Sequence, residues 1–261
     1  MTDAVQDWKH WHEQRTETVS APYGPLALTG THWLADYPEG HLPGIPGHWV
    51  DTPDAVLLTA TPDEGLTVDG QPLTGKVRLG ADSGPVADAR VALGGRRLVV
   101  FRREGLWAVR DFDPDAAARR VFRGIEATAY DPRWVVPGRF TPYGEDRTVT
   151  VGNADGKERG LGLGGELSFR LGGVEHTLQV SVEADGSLWA VFADASSGLS
   201  SYRFRFLRPA APEADGRTTV DFNRALLPPC AFADHFICPF PPPGNTLLSE
   251  IAAGERNLRD R

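Results

Sequence analysis

The chain has 261 residues, enough to bury a substantial core without disulfides, and it fits one large all-β domain or two smaller subdomains better than a string of modules. With 27 Lys and Arg against 35 Asp and Glu, its formal charge of −8 repels polyanions, so nucleic acid is not an expected partner. No apolar run approaches the roughly 18 residues of a membrane helix, and the start MTDAVQDWKHWHEQ has no cationic stretch leading into an apolar one, so no membrane partner is expected and the expected location is the cytoplasm.

From residue 3 to about 19 the spacing of Val5, Trp8, His12 and Arg15 predicts a helix, with Asp3 as its cap. Trp8 and Trp11 are expected to pack that helix onto the body. Residues 20–55 carry Pro22, Pro25, Pro38, Pro43, Pro46 and Pro53 and read as an irregular connection. From 56 to 112 the pattern changes to short alternating runs such as ARVAL, RRLVVFRR and LWAVRDF. The pairs Asp69-Gly70, Gly94-Gly95 and Glu104-Gly105 separate them as hairpin turns would. YDPRWVVPGRFTPYGED reads as a connector. A second set of strands follows, from RTVTV to TTVDF, with turns at Asp155-Gly156, Gly172-Gly173, Asp185-Gly186 and Asp215-Gly216.

The expected fold class is therefore mainly β: an antiparallel, sandwich-like or barrel-like domain with an N-terminal helix. Its expected parts are the helix and Pro-rich connection (1–55), a first β subdomain (56–135) and a second (136–261) that carries the candidate site, with a single domain as the alternative.

Two patterns imitate known chemistry. GLGLGG (160–165) has the letters of a dinucleotide-binding loop, but such a loop must open a helix whose amides face a pyrophosphate, and the alternating ELSFRL follows instead. A flexible hairpin is the expected structure there. ADASSGLSSY places Asp194, Ser196, Ser197 and Ser201 near a turn without the strained elbow of a serine nucleophile, so hydrogen-bonded turn serines are expected.

The stretch DFNRALLPPCAFADHFICPFPPPGN (221–245) stands apart, because it holds both cysteines and a run of prolines yet has no helical or strand period. If the alternation of TTVDF continues, Val220, Phe222 and Arg224 share one face, which turns Arg224 inward. A partly buried guanidinium needs a carboxylate or a bound anion. The first option is an internal ion pair with Glu126, Asp194 or Glu255. The second is a substrate clamp in which Asn223, Arg224 and Asn245 bind an anionic small molecule, with proline fixing the loop at low entropic cost.

Cys230 and Cys238 are too few for a secreted disulfide framework, and a reducing compartment favours thiols. Inert buried thiols, a disulfide, a reactive Cys230 and a zinc array of Cys230, His235 and Cys238 all remain open. In the last case the fourth ligand would come from Asp234, His32, His41, His48 or water. No cofactor is otherwise expected. His32 is a candidate general base if it lies beside Arg224 or Cys230. Tyr143, in a Pro-Tyr-Gly turn, is a candidate for a pocket mouth, with simple packing as the alternative. The cluster Arg96, Arg97, Arg102, Arg103, Arg119, Arg120 and Arg123 reads as solvated strand faces or an anion-attracting zone.

DPRWVVPGRFTPY, FADASSGLSSY, VDFNRALLPPCAFADHFICPFPPPGN and AAGER together resemble the signature of a bacterial and archaeal family, the domain of unknown function 1684 family. The resemblance implies no established activity. The family pattern has a Tyr-Asn pair where this chain has Leu226 and Leu227, and a Glu where it has Gly244. It leaves Asn223, Arg224, Cys230, Cys238 and Asn245 in place. The expected function is thus binding of a small, anionic molecule at the 221–245 segment, either as an enzyme of unassigned reaction or as a non-catalytic ligand- or protein-binding β domain. Oligomeric state is not readable from these residues.

Overall fold

The computed structural model describes residues 2–259, and the chain folds into two compact units. One is Glu17–Val121. The other joins the residues up to Thr16 with those from Phe122 onward. The 19-residue helix α1 (Thr2–Ser20) realises the N-terminal periodicity.

The Glu17–Val121 unit is built from β1 (Leu28–Trp33), β2 (His48–Asp51), β3 (Val56–Ala60), β4 (Leu66–Val68), β5 (Gln71–Pro72), β6 (Gly75–Leu79), β7 (Val91–Leu93), β8 (Arg96–Arg103) and β9 (Leu106–Phe112), followed by a one-turn α2 (Ala117–Val121). They form an antiparallel sheet in the order β1-β9-β8-β7-β4-β5 and a three-stranded sheet β2-β3-β6. Asp69 (φ 50°) and Gly70 (φ 78°) join β4 to β5, giving the two successive positive φ angles that match the right-handed twist of a tight hairpin. Alternation in β3 sends Val56, Leu58 and Ala60 into a core with Trp49, Leu66, Val91, Leu98 and Val109. The Pro-rich stretch 20–55 is more regular than its composition predicts, since LTGTHW pairs with β9 as strand β1.

The other unit contains β10 (Ile125–Ala127), β11 (Val135–Gly152), β12 (Glu158–Leu171), β13 (Val174–Val182), β14 (Leu188–Phe192), β15 (Arg205–Leu207), β16 (Arg217–Asp221) and β17 (Glu255–Leu258). Its main sheet runs β15-β14-β13-β12-β11-β16, and β10 pairs with β17. The fold is mainly β, with several antiparallel sheets and an N-terminal helix. Two sequence expectations fail here. The expected connector 130–146 holds the first two thirds of β11, an 18-residue strand. Its Pro142 is tolerated because a bulge begins just after it, where Pro142 pairs with Gly165 and Arg147 next pairs with Leu163. GLGLGG is no hairpin but part of β12, with Leu161, Leu163 and Gly165 buried on one face and Gly160, Gly162 and Gly164 on the other.

The core of this unit centres on Phe222, whose ring meets Phe169 at 5.3 Å, Phe192 at 5.9 Å and Trp134 at 6.4 Å edge to face. The side chains of Asp7, Trp8, Trp11 and Arg15, one face of α1 at helical spacing, lie on the 221–232 stretch. Trp8 Nε1 donates to the Asn223 carbonyl at 2.8 Å, and the Arg224 guanidinium lies 5.4 Å from the Trp11 ring centre.

Candidate functional site

Strand β16 ends at Asp221, and Phe222–Arg224 form a single 3-10 turn that the Asp221 carboxylate caps by accepting from the Asn223 N–H. The expected alternation therefore stops one residue early. Asn223 turns into the interior and Arg224 turns out, the reverse of the sequence reading. Arg224 pairs with Asp7 and lies 3.5 Å from Asp221, its side chain 37% exposed. The three carboxylates proposed from sequence are engaged elsewhere or lie on other elements. Asp194 pairs with Arg205 and Glu255 with Arg15, while Glu126 sits on β10.

Asn223 and Asn245 are fully buried and have the same job. The Asn223 side-chain oxygen accepts from the Asp131 N–H (2.9 Å), and its amide donates to the Asp131 carbonyl (3.0 Å). Asn245 does the same to Gln179, at 2.8 and 2.9 Å, and also donates to the Val191 carbonyl. Each primary amide thus replaces a missing strand partner, matching one donor and one acceptor of a peptide group that burial would otherwise leave unpaired. The two amides serve different backbone positions, and neither hydrogen-bonds the other.

Cys230 and Cys238 are buried thiols. The Cys230 N–H donates to Cys238 Sγ (3.4 Å), and the Tyr202 hydroxyl donates to the Cys230 carbonyl (3.1 Å) and Sγ (3.5 Å). Hydrogen bonding from Cys238, opposed by burial and reinforced by Tyr202 and Arg203, brings the Cys230 thiol down to about 6. Burial first, and then the thiolate, push the Tyr202 phenol well above its usual value. The Arg203 guanidinium lies 4.8 Å from the Phe240 ring centre. Among the described residues no group of three or more His, Cys, Asp or Glu side chains is placed to hold a metal ion. Of the array Cys230, His235 and Cys238, the backbone places the two cysteines side by side through the Cys230 N–H to Cys238 Sγ contact.

Tyr143 stands in the bulge of β11 and borders a cavity of about 620 Å³ with Phe140, Arg147, Thr148, Gly162 and Ser181. Arg147 lies 3.9 Å from its ring centre. The phenol reaches Glu166 and Gln179 at 3.4 Å, and burial, then the Glu166 charge, raise its pKa. Gln179 in turn donates to the Pro243 carbonyl (2.5 Å), which links Tyr143 to the end of the 221–245 segment. His32 lies on β1 in the Glu17–Val121 unit, its ring edge-on to Tyr37 at 5.9 Å.

Comparison with known proteins places this geometry in a family. Residues 120–256 match the family described as protein of unknown function (DUF1684). The chain belongs to the DUF1684 family. It is also similar to an uncharacterized protein of Haloarcula marismortui solved by solution NMR, at 31% identity over 53% of this chain and 78% of that one, with a TM-score of 0.44. No curated protein matches.

The DUF1684 span contains all of β11 to β16, the thiol pair and the Tyr143 cavity. In this DUF1684 protein Gly244 adopts φ +93°, a backbone state that a side chain such as Glu would strain. Sequence reasoning missed Tyr202, Arg203, Arg147 and Gln179. All four sit in stretches read as ordinary strand, and their significance comes from partners far away in the chain. One signal was present: glycines at alternate positions of a strand bare one face, whatever motif their letters imitate.

Proposed function

We propose that this DUF1684 protein is a cytoplasmic protein that binds a small anionic molecule, and that the site is the cavity beside Tyr143, scaffolded by the Pro243–Asn245 end of the 221–245 segment. The observation that carries this reading is the bare strip on β12. Gly160, Gly162 and Gly164 share one strand face, and a Cβ at Gly162 would meet no atom within 4 Å. Gly162 and Gly164 line the space that Tyr143 and Arg147 border, and at Gly162 the missing side chain leaves it open, whereas at Gly160 and Gly164 it makes room for Thr148 and Val182. A volume of about 620 Å³ suits a small ligand better than a macromolecule.

Arg147 supplies the attraction for an anion, since it makes no ion pair among the described residues, whereas Arg224 already has two carboxylates. This shifts the anion-binding role from Arg224, Asn223 and Asn245 to Arg147 and Tyr143. The reading requires binding and not catalysis. The net charge of −8 argues against nucleic acid.

Calorimetric titration with inorganic phosphate, citrate and malonate, alongside native mass spectrometry of freshly purified protein, tests this proposal. Gly162→Leu grows into the floor from a Cβ that meets no neighbour within 4 Å and is expected to abolish binding in a folded protein. Arg147→Gln should weaken binding by about tenfold or more, and Arg224→Gln should leave it unchanged. Undiminished affinity in folded Gly162→Leu, or no bound or titratable anion, overturns the reading.

A further inference from the structure

The thiol pair lies outside that cavity and carries an inference that does not depend on it. We propose that Cys230 and Cys238 form a two-electron redox couple, in which Cys230 is the thiolate oxidised by a small hydroperoxide and Cys238 resolves the product as an intramolecular disulfide.

Three features of the site support this chemistry. The first is proximity: the Cys230 backbone N–H donates to Cys238 Sγ at 3.4 Å, which holds the two cysteines side by side. The loop between them spans residues 231–237, so no domain movement is needed to bring the pair together.

The second is activation. The Cys230 sulfur accepts a hydrogen bond from the Tyr202 hydroxyl at 3.5 Å, and the neighbouring Cys238 thiol and Arg203 guanidinium also favour its anion. With a pKa of about 6 this thiol is mostly ionised at neutral pH. A cysteine that merely filled space would lack such donors around its sulfur and would have a raised pKa.

The third is selectivity. Cys230 is 4% and Cys238 5% exposed, inside a shell that includes Val191, Phe204 and Phe240. Only a small oxidant fits such access. Asn153 bridges by its backbone to Pro239 next to Cys238, and its buried side-chain oxygen has no partner among the described residues. A hydroperoxide or a sulfenic acid carries the hydroxyl donor that such an acceptor lacks.

The steps balance. The Cys230 thiolate attacks one peroxide oxygen, the O–O bond breaks, and the alkoxide or hydroxide that leaves takes up a proton, giving Cys230 sulfenic acid. The Cys238 thiol then attacks that sulfur, an S–S bond forms, and water leaves. Two electrons pass from the thiol pair to the peroxide, and a small dithiol restores the starting state.

The test exposes the full-length folded protein to hydrogen peroxide and follows intact mass. Wild type is expected to lose about 2 Da, the mass of two hydrogens, and to recover it with dithiothreitol. Cys238→Ser should trap a dimedone adduct on Cys230, while Cys230→Ser should leave Cys238 unreacted. The oxidation rate should rise with pH through about 6 and then flatten, because only the thiolate reacts. Arg203→Gln and Tyr202→Phe should move that midpoint upward and slow the reaction at pH 7 by about tenfold or more. The wild-type measurements need no variant to fold. If both thiols stay intact in the folded protein while the urea-unfolded chain oxidises, or if Cys238 reacts first, the proposal is wrong. Loss of peroxide reactivity with anion binding intact would break this inference alone.

Discussion

Arg205 opens strand β15 and Arg224 follows strand β16 of the same unit, yet they end in opposite physical situations. Arg205 is completely buried against an equally buried Asp194, and its Nη1 and Nη2 donors reach the carbonyls of Ala253 (2.5 Å), Ile251 (2.9 Å) and Glu255 (3.3 Å), while its Nε has no partner among the described residues. Asp194 is also held by Ser196, whose N–H and hydroxyl each donate at 2.6 Å. The serines of ADASSGLSSY are thus spent on positioning a carboxylate. Arg224 lies across the Trp11 ring, with Asp7 on the outside of the helix as partner. The difference teaches that a charge in a signature segment has no fixed meaning. What surrounds it decides whether it holds the fold, decorates the surface or attracts a ligand.

Breaking the buried member of this comparison should have the largest effect. Asp194→Ala leaves a guanidinium without its counter-charge in the interior and is expected to cost about 3–5 kcal/mol, measured by urea unfolding. The pair Asp194→Leu with Arg205→Met should recover much of that loss, because removing both charges also removes their desolvation. If the single variant is fully stable, the ion pair contributes nothing to the fold.

The paired asparagines come next. Asn245→Ala would strand the N–H and carbonyl of Gln179 and loosen Pro243–Asn245, at an expected cost of about 1–3 kcal/mol. Hydrogen exchange sharpens this, since protection should fall first at the Gln179 N–H, which donates to the Asn245 side chain. A ligand role without a structural one would leave stability and protection unchanged.

Arg224→Ala is expected to have the smallest effect, about 0–1 kcal/mol, because half-exposed ion pairs gain little over hydration and are screened by salt. The difference from wild type should shrink further in high salt. A loss as large as that of Asp194→Ala would mean that the Trp11 stack and the Asp7 pair act as a buried anchor after all.

Much of the fold was legible before the structure. The helix over residues 3–19 and strands such as RRLVVFRR and LWAVRDF followed from period, and Glu104-Gly105 marked their turn. The misreadings had local causes. Prolines hid strand β11, because a bulge and strand register, which are long-range features, decide whether a missing N–H matters. Glycines disguised part of β12 as a turn for a similar reason. The candidate residues were mostly found, but their roles were not, since Asn223 and Asn245 differ from surface amides only through partners 92 and 66 residues away in the chain.

By itself the sequence determined the class of this protein: mainly β with an N-terminal helix, a net negative surface, and a DUF1684 signature around a proline-stiffened segment with two cysteines. Those properties are sums over local preferences and composition, which each residue carries wherever it sits. Only the tertiary structure decided that Arg224 faces outward, that Tyr202 and Arg203 surround the Cys230 sulfur, and that Gly162 leaves open a cavity beside Tyr143. These are properties of juxtaposition, set by which groups share one low-dielectric neighbourhood, and the linear order of residues does not contain that distance.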